Sequence, residues 1–191
     1  VNPSTGRTAP HVLGIDPGSV DTGLVVRCGL DVLAHVTVHR DRDEDADDGT
    51  RGVGVGPIYL GAIAETARQL VHEHAVEHVG AESVVAPNPH VRRRDGDSKI
   101  NPAAVIAAGL VLGHLLAVWP NLVRVPPGRN GSSPLSAYPL VLVSDRERAL
   151  GLNRIGKGGK LRHVRSAYDV AGSTIPLARQ RASLHAAQRA S

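Results

Sequence analysis

At 191 residues and 41% apolar content, the chain is long enough to bury a core as one domain with appendages. Aromatic residues make up 2%, which excludes an aromatic stacking platform for single strands, and the lone Cys28 excludes a disulfide framework or a cysteine-cluster metal site. The formal charge is +4, yet residues 41–48 hold six acids and one base and the remainder 21 bases against 12 acids, the balance of a basic body facing a polyanion or of a basic surface with no special role.

Residues 1–10 are polar and contain no apolar leader core, so they read as a flexible N-terminus. The apolar run 103–119 is short for a membrane span and contains His114, so a buried helix and a cytoplasmic protein without a membrane partner are expected. His11 to Ile15 predicts a strand that ends on Asp16, ahead of a Pro17–Gly18 turn. Thr22 to Cys28 and the partly alternating Leu30 to Val38 predict two more strands, joined by tight turns into an antiparallel meander. Residues 40–56 are charged and glycine-rich and read as a loop. Pro57 to Glu77 predicts a helix, with Leu60, Ile63, Ala64, Ala67, Leu70 and Val71 in one stripe. His78 to Glu82 predicts a fourth strand, ending on a carboxylate.

Ser83 to Ile100 is a loop carrying Arg92, Arg93, Arg94 and Lys99. Asn101 is the expected cap of a helix from Pro102 to about Val118, apolar nearly all round and therefore buried or at an interface. Asn121 to Val125 predicts a fifth strand, Pro139 to Leu150 a helix, and Leu152 to Lys160 a glycine-rich basic loop. Leu161 to Ala171 predicts a helix that stops around Gly172, followed by a basic C-terminal helix or tail over 174–191. The expected fold is α/β: a mixed five-stranded sheet, three antiparallel strands followed by alternating strands and helices, with helices on both faces of one domain spanning 11–173.

Asp16 and Glu82 stand out by position. If strands 1 and 4 are neighbours, both carboxylates enter one crevice, where their repulsion calls for a cation. Oxygen ligands suit Mg²⁺ or Mn²⁺, ions able to clamp the oxygens of a phosphodiester. The same residues equally allow Asp16 to cap a turn and Glu82 to sit in solvent. His72, His74 and His78 lack the matching third ligand of a zinc site.

Gly14-Ile15-Asp16-Pro17-Gly18-Ser19 followed by Thr22-Gly23 resembles the opening motif of the RuvC Holliday-junction resolvases, a branch of the RNase H-like nucleases. Ala81-Glu82-Ser83-Val84-Val85 resembles their second motif, and the segment His163 to Ala171 resembles their last, which is also similar to a His-containing segment in the RuvC domain of CRISPR effectors. The resemblance covers roughly residues 11–172. It implies an RNase H-like fold, Asp16 and Glu82 as metal ligands, and His163 as a ligand or proton-transfer group. It also implies Mg²⁺ or Mn²⁺ as cofactor, four-way junction DNA as partner, a homodimer, and a bacterial or phage origin. The chain departs from the family where an Asp usually follows three residues after the first acid or His: Ser166 stands there, and Asp169 comes three residues later. His163 and Ser166 share a helical face, whereas Asp169 lies about 240° round from His163.

Arg92, Arg93, Arg94 and Lys99, directly after a candidate catalytic strand, are placed to hold phosphates, and Lys157, Lys160, Arg162 and Arg165 continue the basic charge. A solvated charge run is the plain alternative for them. The leading expectation is a metal-dependent junction endonuclease. A junction-binding protein without cleavage is favoured by Ser166. An actin-like small-molecule kinase is a third reading, for which 191 residues leave little room.

Overall fold

The computed structural model describes residues 9–41, 55–85, 101–128, 130–156 and 159–190. Strands β1 (His11–Asp16), β2 (Asp21–Cys28) and β3 (Asp31–His39) are followed by helix α1 (Pro57–Glu73), strand β4 (His78–Glu82), helix α2 (Pro102–Val118) and strand β5 (Val123–Val125). Short 3-10 turns at Leu135–Ala137 and Leu140–Leu142 lead to helices α3 (Asp145–Leu150) and α4 (Arg162–Ala190). The sheet order is β3-β2-β1-β4-β5. β1 pairs antiparallel with β2, and β2 with β3, while β1–β4 and β4–β5 are parallel. This is the expected mixed five-stranded sheet, an antiparallel meander extended by two parallel strands.

Alternation along the strands sorts the two faces. Leu13 and Ile15 of β1 and Leu24 and Val26 of β2 pack with Tyr59, Ile63, Ala67 and Leu70 of α1 and with Ala107, Val111 and Leu115 of α2. Val25 looks the other way, toward Val164, Ala167 and Tyr168 of α4 and toward Leu135, Tyr138 and Leu142. Each Val, Leu or Ile side chain buried in these clusters contributes on the order of 1.5–3 kcal/mol.

Helix α4 lies close on its face because the sheet is stripped of side chains beneath it. A Cβ added at Gly14 would collide with the carbonyl of Ala167 and lie 2.6 Å from the nitrogen of Ala171. One at Gly80 would strike the side chain of Thr174, which is fully buried.

Two expectations need correction. Residues 139–150 are not one helix: a 3-10 turn ends at Leu142, and α3 starts afresh behind Ser144, whose side chain and Glu147 form a reciprocal capping box. Helix α4 does not stop at Gly172 but runs 29 residues, with Pro176 inside it. Gly172 lies inside the helix, where a Cβ would sit 2.7 Å from Nη1 of Arg27. Helix α2, apolar all round, buries one face through Ala107, Val111, Leu112 and Leu115, while Ile106 and Leu110 are exposed. Among the described residues, no helix is long and apolar enough to cross a membrane.

Candidate active site

The strand register explains why two distant carboxylates meet. β1 and β4 run parallel, with Ile15 opposite Ala81, so Asp16 and Glu82 emerge side by side at the C-terminal edge of the sheet. By alternation Asp16 shares the face of Gly14, and Glu82 that of Gly80, the face covered by α4. The N-terminal turns of α4 therefore bring His163 and Ser166 to them. His163 Nδ1 lies 2.7 Å from Asp16 Oδ2, and Ser166 Oγ donates to Glu82 Oε2 at 3.2 Å. The other Glu82 oxygen accepts a 3.0 Å bond from Asn130 Nδ2. Asp16, Glu82, Asn130, His163 and Ser166 line one open cleft of about 900 Å³.

The electrostatics of the cleft are those of two acids short of a counter-charge. Burial, then the hydrogen bond and charge of neighbouring Asp16, push the Glu82 carboxyl up to about 7, against the pull of Asn130 and Ser166. A carboxylate pair in this state fits a hard divalent cation. Among the described residues no three His, Cys, Asp or Glu side chains gather into a metal-holding group. His163 instead turns Nδ1 onto Asp16, as a partner of that carboxylate.

The turn before β2 is fastened from behind. Thr22 Oγ1 is 2.8 Å from Tyr59 Oη, the Gly18 N–H donates to Thr22 Oγ1 at 3.3 Å, and Tyr59 Oη donates to the Gly18 carbonyl at 3.3 Å. This ties the segment next to Asp16 to α1. Neither Tyr59 nor Asn130 was foreseeable as a site residue. Tyr59 reads as one more core position, and Asn130 precedes a glycine at φ 68°, which signals a turn but not its target.

The remaining candidates separate cleanly. Asp169 does not enter the cleft: its Oδ2 accepts from the Gly131 N–H and from Tyr138 Oη, both at 2.8 Å. It thereby anchors the loop that carries Asn130. Arg165, expected to face nucleic acid, is fully buried and ion-paired with Glu147 at 2.9 Å, with further bonds to the carbonyls of Leu142 and Gly156. It lies about 200° round the helix from His163, which turns it inward. Arg162 does line the cleft, whereas Lys160 is exposed and lines a separate pocket. Arg92, Arg93, Arg94, Lys99 and Lys157 lie outside the described residues.

No family model matches the chain, and no curated protein does. Among solved structures, RuvC of Thermus thermophilus in complex with Holliday junction substrate is similar at 19% identity, covering 85% of this chain and 90% of that one, with a TM-score of 0.49. A second Thermus thermophilus RuvC structure matches at 19% identity over 84% of this chain and 90% of that one, with a TM-score of 0.47. The type II variant of the Aquifex aeolicus Ppx/GppA phosphatase matches at 14% identity, covering 66% of this chain and 39% of that one, with a TM-score of 0.37.

Proposed function

We propose that the chain is a metal-dependent, structure-specific endodeoxyribonuclease acting on Holliday junctions or other branched DNA. The observation that carries this reading is the juxtaposition of Asp16 and Glu82 at the C-terminal edge of two parallel strands, with His163 Nδ1 2.7 Å from Asp16. Asp16 and Glu82 would hold Mg²⁺ or Mn²⁺, whose charge stabilises the oxygens of a phosphodiester under attack. Asn130 and Ser166 orient the Glu82 carboxylate and favour its ionised form. His163 orients Asp16 through Nδ1 and has Nε2 to take up or deliver a proton. Arg162 at the cleft wall, with Arg92, Arg93, Arg94, Lys99 and Lys157, supplies phosphate contacts that position the DNA. The exposed Ile106 and Leu110 on α2 are the candidate contact of a homodimer, in which two cleavages are made across one branch point.

The test is incubation with labelled four-way junction, flap and linear duplex DNA in Mg²⁺, in Mn²⁺ and in EDTA. Paired incisions in the junction that need the metal are the expected result. No incision of any branched substrate in either metal overturns the reading. The second reading, a junction binder without cleavage, is favoured by Ser166 at the position of a family acid, and it expects tight junction binding that EDTA leaves unchanged.

A further inference from the structure

A second concavity lies on the N-terminal side of α4 and shares no lining residue with the cleft. It measures about 520 Å³ and is formed by α3 and the turns that precede α4. Its apolar lining is Leu135, Leu150 and Ile155, and its cations are Arg146, Arg154 and Lys160. Leu150 is 54% exposed and Ile155 60%, which leaves apolar surface open to solvent beside three positive charges. The acid in the wall, Glu147, does not offset those charges. Both its oxygens are engaged by the buried Arg165, and Ser144 adds a backbone and a side-chain bond. The pocket therefore presents a net positive field around an apolar floor.

We infer that this pocket docks an acidic peptide segment of a partner protein, with an apolar side chain seated between Leu150 and Ile155 and carboxylates on Arg146, Arg154 and Lys160. The chemistry selects a peptide over a nucleic acid. A phosphodiester backbone satisfies the cations but offers no apolar side chain to cover Leu150 and Ile155, and among the described residues no aromatic side chain lines the pocket to stack a base. An acid-rich segment with an apolar anchor satisfies both halves at once, the anchor supplying most of the affinity and the charges its orientation and rate of encounter. The acid-rich stretch of this chain, residues 41–48, contains no apolar residue larger than Ala46 and so lacks the anchor this pocket calls for.

The experiment is fluorescence anisotropy of the full chain with a labelled peptide of alternating aspartate and leucine. Two control peptides carry serine for leucine or lysine for aspartate. Saturable binding is expected, about tenfold or more weaker for each control peptide. Ile155→Ser and Arg154→Ala should each weaken the aspartate–leucine peptide to a similar degree. Both residues are exposed, so folding is not at stake, and melting curves check this. Cleavage and binding of four-way junction DNA by Ile155→Ser should match the wild type, which separates this site from the cleft. Equal binding of the leucine and serine peptides, or displacement by short duplex DNA that Ile155→Ser leaves unaltered, makes the pocket a phosphate-binding surface and overturns the inference. Absence of saturable peptide binding overturns it as well.

Discussion

His163 Nδ1 stands 2.7 Å from Asp16 Oδ2, a contact between residues 147 positions apart that joins the first strand to the last helix. Both side chains are largely shielded, at 23% and 13% exposure, so the bond is sheltered from competing water. The ring thus restrains Asp16 and retains one nitrogen for chemistry. Replacement by alanine removes both roles. His163→Ala should cut junction cleavage by a factor on the order of 10²–10⁴ while leaving junction binding within a few-fold. Single-turnover cleavage alongside gel-shift titration makes the comparison, and full-rate cleavage removes His163 from the site.

Asp16→Asn and Glu82→Gln each take one negative charge out of the cleft. Cleavage should fall below detection in either variant, because a hard cation loses half of its carboxylate set. Junction affinity should hold or rise, since repulsion toward phosphate decreases. Near wild-type cutting by either variant removes the pair from the reaction.

The same pair sets a pH dependence of stability. An unfolded Glu82 ionises near 4.5, whereas the folded one keeps its proton to about 7. Between those values the native state binds more protons than the unfolded state, so this group's stabilisation is full below 4.5 and is lost as pH rises through 7. Glu82→Gln should flatten that slope. Mg²⁺ or Mn²⁺ acts in the opposite sense by favouring the ionised form, so either ion should raise the melting temperature more at pH 8 than at pH 5. A shift of equal size at both pH values, or none, shows that the cation does not bind this pair.

Ser166 and Asp169 test which turn of α4 serves the cleft. Ser166 donates to Glu82, so Ser166→Ala should reduce cleavage about tenfold, and Ser166→Asp should strengthen Mg²⁺ binding by adding a carboxylate. Asp169 accepts from Gly131 and Tyr138 through one oxygen, a role that an amide oxygen can fill. Asp169→Asn should therefore cut nearly as well as wild type. Asp169→Ala strands both donors and should cost about 1–3 kcal/mol in denaturant unfolding. Loss of cleavage in a stably folded Asp169→Asn reverses these assignments.

The strands were legible as short, mostly apolar runs, and the two carboxylates because the runs of β1 and β4 each end on an acid, a signal that is local. The His163–Ser166 face followed from helical angle together with the motif resemblance that singled out His163. Arg165 was misread because a basic residue among basic neighbours carries no mark of burial; only α3, capped by Ser144, supplies the Glu147 that draws it inward. The length of α4 was hidden for a related reason. Gly172 and Pro176 usually end helices, and the contact of Gly172 with Arg27 is set by a strand 145 positions earlier. Asn130 was invisible because it sits in a turn without periodicity and its partner Glu82 lies 48 positions away, beyond α2 and β5.

The Arg165–Glu147 pair gives a test of that correction. The guanidinium is fully buried and the carboxylate 16% exposed, and the pair clamps α3, the Leu142 turn and Gly156 onto α4 just behind His163. Burial alone works against the charge on Glu147, but Arg165, with help from Ser144, outweighs it and holds the carboxyl below its ordinary value. That stabilisation is present at neutral pH and is lost as pH falls through the lowered value. Arg165→Ala leaves the Glu147 carboxylate and the carbonyls of Leu142 and Gly156 without their partner, and should cost about 3–5 kcal/mol. Replacing both members, Arg165→Met with Glu147→Leu, removes both charges together and should recover much of that loss. If Arg165 were instead a phosphate contact, Arg165→Ala would leave the melting temperature unchanged and reduce the dependence of junction affinity on salt by about one unit of slope. Thermal melts and salt titrations of the single and double variants separate these outcomes.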